Sequence, residues 1–569
     1  MDKQWNELYD VVVVGSGAGG LTAALTACLR GLSVIVIEKT ELFGGSTSKS
    51  GGTIWIPNNL YLKEAGVKDT YEQAKTYLDS TVGDRVPESL KKAYLRKGPE
   101  MVKYLHENTE HFRWEYTPNY SDYYPESAGG LASGRAVEAQ LFDLRKLGDD
   151  IKYLRTSGLP TKGMVLKSSE FHKVNMIMRT WIGKMKAMKV GMRLIRTLIS
   201  GYKPSTLGEA AIARLYTCLK EAGGEVWLQI PFEDLIYEND RVTGVIAKRD
   251  GKEIKIQARQ GVVFASGGFS HSKELREKYL PQPTNTEWTL SAEGQVGDVI
   301  AAGVKLGGQL DLMDKLWGTP TSAPPGAPAF MPVAERATPG LIIVNSYGER
   351  YINESVPYHE FVDQMYGNNN EEDSTIPSWM IFDKRVKNRY LVFGIMPFQP
   401  IPKEWFETGY AKKAETPEGL AEKINVPPEK LAKTIARFNT FAVNGVDEDF
   451  HRGESAYDRY YGDPTLENPN LAPLNKAPYY AIPIYPGDIG TKGGLVIDES
   501  ARVITKDGKP IKGLYATGNC TASVMGETYP GPGATIGSSM VFGYAAAVDI
   551  ADSVRKRDGD HVPKRTMSV

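Results

Sequence analysis

Cysteine is scarce in this chain. Cys28, Cys218 and Cys520 are the only three in 569 residues. Their spacing fits neither a disulfide framework nor a thiolate metal site. No C-x-x-C or C-x4-C pair occurs, which argues against a dithiol redox centre. The seven histidines show no metal-ligand spacing, so no metal is expected. Charge is also nearly absent as a net quantity, at −1 from 68 basic and 69 acidic residues. That balance excludes a global polyanion-binding field, and no nucleic-acid partner is expected. No window offers about 18 uninterrupted apolar residues, so no membrane-spanning helix is predicted. Met1 to Tyr9 is polar and lacks the apolar core of a signal peptide. Low cysteine use points to a reducing cytoplasm. No internal repeat is evident.

What is present is a long chain of ordinary globular composition, 41% apolar and 24% charged. Its length calls for two or three domains. Asp10-Val11-Val12-Val13-Val14 is a β-branched run that reads as a buried parallel strand. Gly15-Ser16-Gly17-Ala18-Gly19-Gly20 comes next, then an Ala-rich helix from Leu21, then the strand Ser33 to Ile37, ending at Glu38. This is a complete βαβ unit with glycines at 15, 17 and 20. Gly15 permits the tight turn, Gly17 lets backbone approach a pyrophosphate, and Gly20 lets helix and strand pack closely. The helix N-terminus faces the pyrophosphate. Glu38 can accept a ribose hydroxyl.

The residues after Glu38 favour flavin over nicotinamide. Phe43-Gly44-Gly45-Ser46-Thr47-Ser48 and Ser50-Gly51-Gly52 form a second small-residue run that can cradle the ribityl chain and ring system. Similar patches recur at Ala265-Ser266-Gly267-Gly268 and Ala516-Thr517-Gly518-Asn519, each closing a strand-like run. A Rossmann-type sheet completed by distant strands explains that pattern. No second strand–GxGxxG–helix unit is present, so no built-in nicotinamide site is expected. The fold class is therefore α/β. A Rossmann-type FAD-binding domain is expected from residues 1–318 and 490–569, with an inserted α+β catalytic domain at 319–489. The polar stretch from Arg555 to Val569 is expected to fray.

Residues 162–203 differ in kind. They carry ten Lys/Arg, from Lys162 to Lys203, and one acid, Glu170. Ile177, Trp181, Met185, Met188 and Met192 recur at helical spacing between the charges. A basic amphipathic helix of this type can lie in an anionic membrane surface. The alternative is that its apolar face packs on the protein and the lysines face water. The segment lacks the aromatic interleaving of a nucleic-acid stacking platform.

Tyr529-Pro530-Gly531-Pro532-Gly533 is a rigid irregular loop. It can aim one phenol and one backbone N–H at a single point, as an oxyanion hole requires. Thirty tyrosines are present, and any one of them is ordinarily a packing residue.

Several segments together resemble the 3-ketosteroid Δ1-dehydrogenases, within the fumarate-reductase-like flavoproteins. They are the GSGAGG loop, Phe43 to Ser46, Ser121 to Pro125, Gly348 to Tyr358, Phe450 to Glu454, Asp488 to Gly494 and Tyr529 to Gly533. The basic segment is longer than in compact members. The resemblance implies removal of two hydrogens from a 3-oxosteroid A ring, a C2 proton to a tyrosinate and a C1 hydride to flavin N5. Carried over, Tyr358 is the base, Tyr123 its hydrogen-bonded partner, and Tyr529 O–H with Gly533 N–H the clamp on the C3 carbonyl. Tyr124 is an alternative to Tyr123. The flavin, FAD held non-covalently, would take the residues named above together with Lys39, Ala534 and Ile536. A quinone-type or artificial acceptor would reoxidise it. The expected location is the cytoplasm, with possible attachment to the inner face of the membrane through 162–203. Arg350 could serve as a catalytic acid, as arginines do in fumarate-reducing relatives, but a structural ion pair with Glu354 is the simpler reading. His451 is expected to be a structural hydrogen-bonding residue, and Cys520 a small buried filler. A Δ4-type steroid dehydrogenase, a fumarate-reductase-like enoate reductase and a membrane-surface flavin-binding protein are the competing readings.

Overall fold

The structure, a computed structural model, describes residues 5–157 and 165–558. Lys162 and Met164 of the basic segment, and the tail from residue 559, lie outside the described residues.

The strand Glu7–Val14 lies in the middle of a parallel sheet. Val34–Ile37 and then Glu225–Trp227 flank it on one side, and Lys252–Phe264 and then Pro510–Ala516 on the other. Arg502–Ile504 closes one edge antiparallel. Val11 to Val14 are buried on both faces, as a central parallel strand requires. The helix Ala18–Leu29 covers one face and packs against the C-terminal helix Ala534–Asp558. That C-terminal helix holds an apolar stretch, Ala534–Lys556, long enough to cross a membrane, which a criterion of uninterrupted apolar residues misses. Most of it is buried within the protein, so it is a core helix.

A second, antiparallel sheet is drawn from the middle of the chain. Its order is Leu316–Thr321, Tyr479–Thr491, Ser378–Asp383, Leu341–Val344, with Lys412–Ala414 also beside Tyr479–Thr491. The helix Tyr358–Gly367 packs on this sheet. Beside it lies a buried ionic cluster. Arg350 pairs with Glu354 at 2.7 Å and with Asp447 at 2.6 Å, and Arg452 reaches Glu354 at 3.0 Å. Arg350 is thus held in the fold's interior. The His451 ring makes a hydrogen bond to Glu454 at 3.0 Å, on an exposed surface. Cys520 is buried, and burial pushes its thiol up to about 12.

The basic segment forms two helices, Ser168–Asn175 and Trp181–Ser200. The Thr180 side chain caps the second by accepting from Gly183 N–H. At 100° per residue, Trp181, Met185, Met188, Met192, Ile195 and Ile199 form one stripe. That stripe faces away from the protein. Trp181 is 74% exposed, Met188 62% and Ile199 81%, whereas Val190 on the opposite face is 2% exposed. The segment's single acid is consumed inward, where Glu170 pairs with Arg193. The apolar face is left exposed by the described residues.

Candidate active site

A cavity of about 730 Å³ runs from the glycine-rich loop to a cluster of tyrosines. One end is built where strands stop. The strand Glu7–Val14 ends at Gly15, Lys252–Phe264 ends at Ala265, and Pro510–Ala516 ends at Thr517. These C-terminal strand ends are where an open parallel sheet binds its ligand. Gly15 has φ +108°, and a Cβ there would meet Ala265 O at 2.5 Å. The two loops therefore touch through a backbone that only glycine allows.

Most of the candidate flavin residues line this cavity: Gly15, Ser16, Gly17, Ala18, Gly19, Glu38, Lys39, Gly45, Ser46, Thr47, Ser50, Gly51, Gly52, Ala265, Ser266, Gly267, Gly518, Asn519 and Ile536. Gly20, Gly44 and Ala534 do not. Gly20 stands behind the loop, where a Cβ would meet Gly15 O at 2.0 Å. Gly44 donates its N–H to Ser16 Oγ at 3.0 Å, and Ala534 donates to Gly531 O at 3.1 Å. Their part is to shape the wall.

The residues fit a dinucleotide with a flavin end. A Cβ on Gly17 would meet nothing within 4 Å, so the cavity lies open over the backbone that a pyrophosphate approaches. Ser266 Oγ is buried and has no hydrogen-bond partner among the described residues. Glu38 accepts from Ser16 Oγ at 2.7 Å and Thr40 Oγ1 at 2.9 Å, which fixes its carboxylate at the cavity edge. A third wall was not foreseen. The stretch from Thr289 to Asp298 crosses the site, with Ala292 N–H and Gln295 Nε2 both donating to Ser46 Oγ. The run Ser-Ala-Glu-Gly-Gln-Val-Gly-Asp, 291–298, carried the small-residue signal that could have found it.

At the other end, four groups from three sequence-distant segments converge. Tyr358 opens the helix Tyr358–Gly367, right after Pro357. Tyr123 Oη donates to Tyr358 Oη at 2.8 Å. The Tyr529 ring stands 5.4 Å from Tyr358 and 5.0 Å from Tyr123, centroid to centroid. The Tyr529 hydroxyl stands 3.5 Å from Thr535 Oγ1, and Tyr529, Gly533 and Thr535 all line the cavity. Gly533 has φ +91°, and a Cβ there would meet Thr53 O at 2.2 Å. The Pro530 carbonyl accepts from Tyr77 Oη at 2.6 Å and from Tyr123 N–H at 3.0 Å. The loop thus holds Tyr529 and also fixes the backbone of Tyr123. Tyr124 points elsewhere, to His359 Nε2 at 2.8 Å.

All three phenols are buried, and burial raises each of them above the usual tyrosine range. The Tyr123 donor opposes that rise at Tyr358, while the Tyr529 phenol reinforces it. Burial, then the charge of Lys492, hold His359 well below its ordinary range, so it is neutral. Lys492 Nζ donates to Glu527 O and Thr528 O, both at 2.7 Å, directly before Tyr529. Sequence reasoning missed Lys492, Tyr120 and Tyr461. Tyr461 Oη donates to Tyr120 Oη at 3.0 Å, and both line the cavity beside Tyr123. The cations lining the cavity are engaged: Lys39 with Asp298, Arg155 with Glu293, Lys167 with Glu115, and Lys49 with the Ser291 carbonyl.

A Rossmann-type sheet, a cavity at its strand ends and an inserted antiparallel sheet define a flavoprotein. Residues 10–536 match the FAD binding domain family, and the chain belongs to it. FAD is its cofactor. The chain is 47% identical over 554 residues to the 3-oxosteroid 1-dehydrogenase of Mycolicibacterium smegmatis, covering 95% of this chain and 97% of that one. It superposes with a TM-score of 0.91 on a 3-ketosteroid delta1-dehydrogenase from Sterolibacterium denitrificans in complex with 1,4-androstadiene-3,17-dione. Identity there is 40%, covering 96% of this chain and 100% of that one. A 3-ketosteroid-delta4-(5alpha)-dehydrogenase from Rhodococcus jostii shares the fold at a TM-score of 0.66 and 21% identity, covering 97% and 98% of the two chains. The chain belongs, within the FAD-binding flavoproteins, to the 3-oxosteroid 1-dehydrogenase family.

Proposed function

We propose that this protein introduces a C1=C2 double bond into the A ring of a 3-oxosteroid. The observation that carries the reading is that Tyr358, Tyr123, Tyr529 and Gly533 line one end of the flavin cavity, the three phenol rings in contact. A C–H beside a ketone becomes acidic only when the enolate oxygen is stabilised as it forms. Tyr529 O–H and Gly533 N–H supply two fixed donors for that oxygen, worth several kcal/mol in a water-poor site. Tyr358 takes the C2 proton. Its phenolate is favoured by the Tyr123 donor and by the N-terminus of the helix that it begins. Tyr123 passes the proton outward, toward Tyr120 and Tyr461. FAD, when bound, accepts the C1 hydrogen as hydride. Gly15–Gly20, Glu38, Lys39, Gly44–Thr47, Ser50–Gly52, Ala265–Gly267, Gly518, Asn519, Ala534 and Ile536 make up the cofactor site in this reading, most of them lining the cavity and Gly20, Gly44 and Ala534 backing its wall. Residues 1–318 with 490–569 are its FAD-binding domain, and 319–489 its catalytic domain.

A dicarboxylate substrate needs free arginines to clamp its carboxylates. Arg350, the candidate acid for such chemistry, is locked between Glu354 and Asp447. The tyrosine end suits a large neutral ketone. Anaerobic addition of androst-4-ene-3,17-dione should bleach the flavin absorbance. No bleaching with any 3-oxosteroid, together with oxidation of the reduced flavin by fumarate, would remove the reading.

The exposed stripe Trp181–Ile199, flanked by Lys184, Lys189 and Arg196, supports attachment to the inner face of the cytoplasmic membrane. A membrane quinone is the electron acceptor in this reading. Replacing Met188, Met192 and Ile195 by Ser should move the protein from the membrane pellet to the supernatant, and an unchanged distribution would return the stripe to another role.

A further inference from the structure

An open cleft of about 590 Å³ lies beside the N-terminal end of the helix Trp181–Ser200. Arg179, which precedes that helix, forms one side. Lys384, Arg385 and Arg389 of the short helix Lys384–Arg389 form the floor, and Lys476 closes it from the following loop. No carboxylate lines the cleft among the described residues. Arg179 is compensated by Asp463 at 2.6 Å, and Arg385 donates to Asn475 Oδ1. Asp383 lies beneath, buried, and accepts from the backbone N–H groups of Arg385, Val386, Asn475 and Lys476. The cleft therefore keeps a concentrated positive charge in a protein whose net charge is −1.

Its rim is apolar. Met178 is 47% exposed and Phe398 66%, and Met178 runs straight on to the exposed Trp181. Leu391, Gly394 and Met396, on the same loop as Phe398, line the catalytic cavity. One loop thus borders both spaces.

We propose that this cleft receives the phosphate headgroup of an anionic membrane phospholipid. The inference rests on the membrane reading and deepens it. Arginine and lysine suit phosphate oxygens, and basic pockets at a membrane face bind lipid headgroups. A soluble anion would use the cations alone. A phospholipid uses the cations and also the apolar rim, its phosphate in the cleft and its chains beside Met178, Trp181 and Phe398. The headgroup then pins the start of the amphipathic helix and sets the orientation of the loop that borders the cavity.

The test is flotation of the FAD-loaded full chain with phosphatidylcholine vesicles, with and without phosphatidylglycerol. Three triple variants are compared: Lys384→Ser/Arg389→Ser/Lys476→Ser in the cleft, Lys184→Ser/Lys189→Ser/Arg196→Ser on the helix flank, and Met188→Ser/Met192→Ser/Ile195→Ser in the stripe. Flavin absorbance and Tm establish that each is folded. The stripe variant should lose binding to every vesicle. At about 1 kcal/mol per cation near an anionic surface, a diffuse field costs the flank variant roughly a hundredfold on phosphatidylglycerol vesicles. A headgroup site should cost the cleft variant clearly more. Loss equal to or smaller than in the flank variant overturns the site and leaves the membrane reading standing. Wild type that floats with no vesicle overturns both. A thermal shift with inorganic phosphate that disappears in the cleft variant, with flotation unchanged, assigns the cleft to a soluble anion and overturns the lipid.

Discussion

Tyr123 and Tyr358 lie 235 positions apart in the chain and share a 2.8 Å hydrogen bond in which Tyr123 donates. The direction of that bond matters. A donor favours the ionised acceptor, so Tyr123 offsets part of the rise that burial imposes on Tyr358. Replacing Tyr123 by Phe should lower kcat/KM and move the ascending limb of the pH–rate profile to higher pH. An unshifted limb would leave Tyr123 with packing alone.

Tyr358→Phe should lower turnover by at least about a hundredfold, the scale of a lost general base. The protein should stay yellow. Steady-state dehydrogenation with a flavin spectrum reads both, and retained activity would take the base role from Tyr358. In the wild type the rate should rise with pH, because burial holds Tyr358 protonated below its raised range.

Tyr529→Phe removes one of two donors to the ketone oxygen. Loss of one such donor costs about a hundred- to a thousandfold in kcat. The Tyr529 ring also packs on Trp317 at 4.8 Å, and Phe keeps that contact. Unchanged kcat would place the carbonyl elsewhere.

Lys492 tests whether the loop must be held from behind. Its ammonium is buried, and its donated bonds end on the two residues before Tyr529. Lys492→Met should lower kcat/KM by about ten- to a hundredfold through misplacement of the phenol, with partial recovery in Lys492→Arg. Equal activity in both variants would show that the loop's own prolines suffice.

Much of the flavin end could be read directly, because one local unit carries it. A strand, three glycines, a helix and an acid stand in sequence order from Asp10 to Glu38. The tyrosine end could not be read that way. Tyr358 looks like any of thirty tyrosines, and its partners come from positions 123 and 529. Resemblance to a family brought them forward, and the fold brings them together. Lys492 escaped because its role is to donate to carbonyls, which leave no trace in a sequence. The orientation of the basic helix was also hidden. Periodicity gives the stripe, but it cannot tell whether the stripe faces inward or outward.

Glu335 gives a stability prediction with a definite sign. It is buried in the cavity wall and accepts from Phe393 N–H at 3.0 Å, and burial raises its carboxyl to about 7. Below the ordinary carboxylate range, near 4.3, both folded and unfolded states are protonated, and nothing is lost. Between there and about 7 only the unfolded state ionises, so stability falls as pH rises. Glu335→Gln removes this term. Its stability advantage over wild type should grow across that window toward about 3 kcal/mol. Denaturant melts at pH 4.5, 6 and 8 check it, and a constant difference would contradict it.

The order of strands in the parallel sheet has a consequence for synthesis. The strand Lys252–Phe264 is flanked by Glu7–Val14 and by Pro510–Ala516, so the sheet joins the first part of the chain to nearly the last. A ribosome has made everything from Glu7 to Lys509 before the strand Pro510–Ala516 exists. The nascent flavin cavity must wait, half-walled, while the entire antiparallel sheet is translated. Premature termination before Pro510 should therefore yield colourless protein even though the whole glycine-rich fingerprint is intact. The protein acquires its colour only after Pro510–Ala516 has joined the sheet.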